Sequence, residues 1–167
     1  MPLGSAREVI PALSETLIEV VAHGGSVSFM HPLARSDADA FWQDSLAKAA
    51  QGKRVVLGAL LKRNLIGTVT LILDMPPNQP HRAEIAKLMT RVAHRRRGIA
   101  RNLMKEAERI ALERGKTLLV LDTAEEEGAA GLYEKLGYCR AGGIPGFALK
   151  PHGGLTATII FYKQLTA

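Results

Sequence analysis

Six basic side chains crowd the stretch from Arg91 to Arg101: Arg91, His94, Arg95, Arg96, Arg97 and Arg101. They centre on one glycine, Gly98, at the junction between a β-patterned segment and a helix-patterned one. A glycine-containing turn at such a junction exposes consecutive backbone N–H groups at a helix N-terminus. Those donors and the positive end of the helix dipole together suit a pyrophosphate. Gly98 lets the backbone approach such a ligand, and Ala100 keeps the side chain small where helix and ligand crowd. The flanking arginines add charge and bidentate contacts to further phosphates. The pattern lacks the Gly-Lys-Ser/Thr of a P-loop and the three spaced glycines of a dinucleotide fingerprint. A solvated basic loop capping a helix would read the same over this short stretch, so the assignment needs support from elsewhere in the chain.

The chain around it has 167 residues, 47% hydrophobic and 23% charged, the composition of a single globular domain spanning residues 1–167. Disordered and fibrous readings are excluded by that balance. The net charge of +6 favours an anionic partner. Aromatic residues make up only 5% and none interleaves with the basic run, which argues against a stacking platform for nucleic acid. The lone cysteine, Cys139, cannot form an internal disulfide, and no Cys-rich metal site is expected. No uncharged apolar run approaches the ~20 residues of a membrane span, so no membrane partner is expected and the cytoplasm is the expected compartment.

Periodicity supplies the elements that must position this site. Ile10, Leu13, Leu17, Val20 and Val21 recur at helical spacing, predicting a helix that starts between residues 6 and 11 and stops before His23-Gly24-Gly25. A second helix is predicted from Ser36, as its N-cap, to near Gly52, with Phe41, Trp42, Leu46 and Ala49 on its apolar face. Strands follow at 54–61 and 65–74, then at 83–91 after a proline-rich loop, with Ile85, Lys87 and Met89 alternating against Glu84, Ala86, Leu88 and Thr90. Helix 98–114 carries a broad apolar stripe and stops at Gly115. A strand at 117–123, a short helix at 129–136, a short strand at 138–140, a turn region at 142–146 and a strand at 156–162 complete the chain. The order ααβββαβαββ predicts an α/β domain with a mixed sheet.

Two motif matches, one in the basic loop itself and one downstream, decide its reading. The chain resembles the GNAT superfamily of N-acetyltransferases, whose Gln/Arg-x-x-Gly-x-Gly/Ala pattern is matched by Arg95-x-x-Gly98-x-Ala100. Its Leu-Tyr-Glu-x-x-Gly-Phe/Tyr element is matched by Leu132-Tyr133-Glu134-Lys135-Leu136-Gly137-Tyr138. The resemblance covers most of the chain from about Arg54 onward. A closer resemblance is to the tabtoxin-resistance branch of that superfamily. It is carried by His23-Gly24-Gly25-Ser26-Val27-Ser28-Phe29-Met30, Arg82-Ala83-Glu84-Ile85-Ala86-Lys87-Leu88-Met89, Leu121-Asp122-Thr123 and Pro145-Gly146-Phe147. That branch acetylates a β-lactam amino-acid toxin.

The resemblance implies a strongly twisted mixed sheet of about six or seven strands flanked by about four helices, with two parallel strands splayed apart. It implies acetyl-CoA as cosubstrate and no metal. The pantetheine arm then pairs with the backbone of Leu88, Met89 and Thr90 like an added strand. The diphosphate sits on Arg95, Arg96, Arg97, Gly98, Ile99, Ala100 and Arg101, and Tyr133 faces the thiolate as general acid. Met89 or a neighbour supplies the N–H for the developing oxyanion. An amine with a pKa near ~10.4 is nucleophilic in only about one molecule in a thousand at neutral pH. A base is therefore required, and Glu84 and Asp122 are its candidates, acting directly or through water. Many relatives carry an asparagine that contacts the cofactor where this chain has Glu126, and that contact is not carried over.

His23, Phe29 and Met30 occupy the stretch that lines the acceptor site in the superfamily, and residues 146–154, with Lys150, Pro151 and His152, are the expected lid. The expected acceptor is the primary amine of a small molecule, with an amino-acid-like toxin or antibiotic as one form. A protein or peptide amine is the nearest alternative, and a basic nucleic-acid-binding module is the non-enzymatic one. A monomer or a homodimer is equally compatible with the sequence.

Overall fold

Apolar side chains segregate to two faces of one sheet, and each face collects its own helices. The computed structural model describes residues 1–4, 7–125 and 128–166. After a 3-10 turn at Arg7–Val9, helices α1 (Ile10–Ala22) and α2 (Arg35–Ala50) precede strands β1 (Arg54–Leu61), β2 (Asn64–Ile72) and β3 (Arg82–Thr90). Helix α3 (Ile99–Glu113), strand β4 (Leu118–Ala124), helix α4 (Ala130–Lys135) and strands β5 (Cys139–Leu149) and β6 (Leu155–Gln164) follow. The six strands lie in the order β1-β2-β3-β4-β6-β5. Only β3 and β4 run parallel.

One core joins α3 and α4 to the sheet through Leu57, Val69, Ile85, Met104, Leu121, Tyr133 and Phe161. The other packs α1 and α2 against the opposite face, around Leu13, Leu17, Val21, Trp42, Val56 and Met89. Gly67 is the point where the start of α3 presses on the sheet: a Cβ there would stand 2.9 Å from the Ile99 side chain and 3.0 Å from the Met89 carbonyl.

Three expectations are corrected. Helix α2 begins one residue before Ser36, and Ala34 stands at its N-cap without a side-chain hydrogen bond. Residues 142–146 are not a turn between short strands. They belong to one long irregular strand, β5, whose pairing with β6 slips between Arg140 and Gly142 and again between Ile144 and Ala148. Glycine, and proline on an edge strand, tolerate such slips because little side-chain packing is lost.

The third correction bears on the site. Strict alternation along β3 would put Ile85, Lys87 and Met89 on one face. Instead Thr68 pairs with Met89 and Thr70 with Ala86, so Val69 alone faces both Lys87 and Leu88. This bulge, with Lys87 at φ +52°, reverses the parity of the strand. Ile85 enters the α3-side core and Met89 the α1–α2 core.

The Tyr138 hydroxyl is buried beside the Glu108 carboxylate without a hydrogen-bond partner of good geometry among the described residues. Burial, then the Glu108 charge, push its pKa far above the usual phenol value. A raised folded-state pKa keeps its stabilisation intact below the unfolded value near ~10 and loses it as pH rises beyond that. Tyr138→Phe is therefore expected to leave stability within about 1 kcal/mol of the parent at neutral pH. Above pH ~10 the variant should become the more stable of the two, read by denaturant melts across pH. A parent and variant that fall in parallel there would remove Tyr138 as a source of alkaline instability.

Candidate active site

The parallel pair is joined only at its start, by Arg82 with Leu118, Ala83 with Leu119 and Glu84 with Val120. Beyond Glu84 the two strands part and a cleft of about 990 Å³ opens between them, bounded by α3, α4 and the α1–α2 loop. In open α/β sheets this region beyond the carboxyl ends of parallel strands is where ligands sit.

At one end of the cleft the backbone is arranged for an anion. Gly98 is the N-cap of α3 at φ +76°, preceded by Arg96 at φ +60°. The first backbone bond of the helix runs from the Asn102 N–H to the Gly98 carbonyl at 3.0 Å. The amides of residues 96–101 therefore precede the helical ladder and have no backbone acceptor among the described residues. A Cβ built on Gly98 meets nothing within 4 Å, so the space over these donors is open. Arg95, Arg96, Gly98, Ile99, Ala100 and Arg101 line the cleft, whereas Arg97 does not. Arg91 stands apart: its Nε donates to Glu19 at 2.8 Å and its Nη1 lies 3.6 Å from Glu15, bracing β3 against α1.

Along the cleft wall the Arg91 N–H bonds the Ile66 carbonyl on β2. Alternation then turns the N–H and C=O of Thr90 the other way, away from β2. Met89 directs its backbone toward β2, with its carbonyl oxygen beside Gly67, and its side chain is buried. Leu88, Met89 and Thr90, the strand residues read from sequence, all line the cleft.

Tyr133 projects from α4 into the same cleft. Its ring is fixed by Phe161 and Tyr138, at centroid distances of 5.6 and 5.9 Å. Across from it, Asp122 lies at the open end of β4, where Thr158 donates a hydrogen bond to Oδ2 at 3.0 Å. Glu84 shares the face of Ala86 but does not line the cleft; its Oε1 accepts from Arg82 Nη1 at 2.7 Å.

Residues 23–28 of the α1–α2 loop also line the cleft, among them His23, Ser26, Val27 and Ser28. His23 also caps α1, its Nδ1 lying 2.8 Å from the Glu19 carbonyl oxygen. Phe29 and Met30 lie outside the cleft lining, and Phe29 packs edge-on against Phe41 at 5.3 Å. The expected lid shortens to the turn at 150–154, because β5 continues to Leu149. That turn holds both ends of the α1–α2 loop: the His31 N–H donates to the Pro151 carbonyl and His152 Nε2 to that of Ala22, each at 2.9 Å.

Lys87 was absent from the sequence-derived set, yet it lines the cleft. Its Nζ donates to Ser28 Oγ at 3.0 Å and sits 5.7 Å over the Phe41 ring. Alternation had assigned Lys87 to the face of Ile85, and nothing in the sequence signals the bulge that redirects it. Glu126 lies outside the described residues. Among those residues no helix is long and apolar enough to cross a membrane.

The profile of the Acetyltransferase (GNAT) family matches residues 22–138. Solved structures with the same fold include an N-acetyltransferase from Staphylococcus aureus Mu50, with a TM-score of 0.84 and 17% identity over 99% of this chain and 98% of that one. The ribosomal-protein-alanine N-acetyltransferase from Brucella melitensis gives 0.83 and 20% identity over 99% of each chain. An acetyltransferase from Salmonella typhimurium, solved with its cofactor acetyl-CoA, gives 0.82 and 18% identity over 100% and 94%.

Proposed function

Because this chain belongs to the GNAT acetyltransferase family, we propose that it acetylates the primary amine of a small molecule, an amino-acid-like toxin or antibiotic being one form of that acceptor. The observation that carries the reading is one cleft holding a row of free amides at its α3 end, Tyr133 in its wall and Asp122 at its mouth. These residues fit acetyl-CoA, which supplies an activated acetyl thioester when bound. The amides of residues 96–101, with Arg95 and Arg96, hold the diphosphate against the dipole of α3. The N–H and C=O groups of Leu88 and Thr90 hold the extended arm as an added strand would be held.

Asp122 accepts the proton from the acceptor's ammonium nitrogen, directly or by passing it through water to Glu84. The N–H of Met89 or a neighbour on β3 is the donor to the negative oxygen charge that develops. Tyr133 gives its hydroxyl proton to the departing sulfur. The turn at 150–154 ties the α1–α2 loop at Ala22 and His31, and so positions the loop residues that line the cleft.

Acetyl-CoA is expected to raise the melting temperature by mass action, and an amine panel that includes β-lactam amino acids should release free CoA thiol. Stabilisation by oligonucleotide with a steep salt dependence, and none by acetyl-CoA, would overturn the reading. Gly98→Val should raise the KM for acetyl-CoA about 10-fold or more. It strains a left-handed position by about 1–2 kcal/mol and sets methyl groups over the diphosphate donors. An unchanged KM would move the diphosphate elsewhere.

A further inference from the structure

A buried cation facing only neutral partners is unfavourable unless an anion comes to it. Lys87 is a half-buried cation whose direct contacts are neutral, and Asp122, which attracts it, forms no ion pair with it. The lysine lines the cleft, where its ammonium meets the Ser28 hydroxyl and the Phe41 ring. Among the described residues no carboxylate lies within 4 Å of it. The bulge that aims it here sets a non-glycine residue at φ +52°, a conformation that costs free energy and persists where the surroundings impose it. Asp122, across the mouth of the cleft, is near enough to attract the ammonium, and Arg54 near enough to repel it. Burial holds the Lys87 pKa below the ordinary lysine value, with Asp122 opposing that shift and Arg54 adding to it.

The same cleft thus presents a carboxylate, Asp122, and a partly desolvated ammonium, Lys87. We propose that Lys87 anchors a carboxylate on the acceptor, so that the substrates of this cleft are zwitterionic amino acids whose ammonium faces Asp122 and whose carboxylate faces Lys87. The proposal rests on the reading of the cleft as an acetyl-transfer site. It distinguishes amino acids from polyamines, decarboxylated amines and lysine side chains within proteins, none of which offers a free carboxylate beside the reacting amine. Ser28, whose oxygen accepts from Lys87, keeps the ammonium directed into the cleft.

The test compares each amino acid of a panel with its own carboxamide, which keeps the amine and loses the negative charge. The parent is expected to favour the acid over the amide by about 10- to 100-fold in kcat/KM, the range for a hydrogen bond to a charged group. In Lys87→Met that ratio should collapse toward one through loss on the acid alone, with the KM for acetyl-CoA within two-fold of the parent. Lys87→Arg should keep part of the preference. Calorimetry of the same pairs with the chain saturated in CoA reads the preference without chemistry. A chain that bound acids selectively but transferred nothing would therefore retain the Lys87 assignment and lose the transferase reading. Equal affinity of the parent for acid and amide would overturn the proposal, as would a preference that survives in Lys87→Met.

Discussion

Replacing Tyr133 by Phe is expected to lower kcat by about 100- to 10,000-fold, the range for loss of a positioned general acid. The KM for acetyl-CoA should stay within about two-fold. The separation of the two constants follows from how the ring is held. Phe161 and Tyr138 pack against it and α4 carries it, so phenylalanine keeps the ring and loses only the hydroxyl. The groups proposed to hold the diphosphate lie at the start of α3 and those proposed to hold the arm on β3, elements that the substitution does not touch. A leaving thiolate with a low pKa needs little help from an acid, so an activated thioester donor should recover part of the lost rate. An unchanged kcat would leave Tyr133 a packing residue, which is the ordinary role of a buried tyrosine.

The second large effect is expected at Asp122. Asparagine has the same shape and can still accept from Thr158, so Asp122→Asn removes the proposed base and keeps the local structure. At neutral pH kcat/KM for the amine should fall about 100-fold or more. The deficit should shrink as pH rises, because near pH ~10 the acceptor loses its own proton in solution and no longer needs the enzyme to take it. The variant's profile should thus climb steadily through the range where the parent has already levelled. A profile parallel to the parent's would remove Asp122 as the proton acceptor and move the role to Glu84, whose Gln variant would then show the pH dependence described. Binding of an amino-acid acceptor would also weaken in Asp122→Asn, since the carboxylate faces the ammonium. The pH profile, rather than the KM, is therefore the decisive measurement.

Most of the framework is legible in the sequence because it rests on local signals. The apolar stripe from Leu103 to Ala111 and the glycine that ends it define α3 within a residue or two. The β-branched runs define β1 and β2 in the same way. Signals failed where a segment has little to bury. Strand β5 has hardly a buried side chain, so its glycines and proline read as a turn while its backbone stays paired with β6. Phe29 shows the same difficulty from the opposite side. Its place in the chain suggested an acceptor contact, yet an aromatic ring there is worth more packed against Phe41 than left in the cleft.

Two kinds of information separate at the site. The glycine turn ahead of α3 and the tyrosine element were determined by sequence alone. A left-handed glycine ahead of a helix creates free amides wherever it occurs, and Leu-Tyr-Glu-x-x-Gly is a continuous element. The direction of Lys87, the burial of Met89 and the meeting of Asp122 with residues of the α1–α2 loop were decided only by the tertiary structure. Side-chain parity along a strand depends on its register against a neighbour. One extra residue opposite Val69 reverses it, and β2 and β3 had to pair before that residue had any effect.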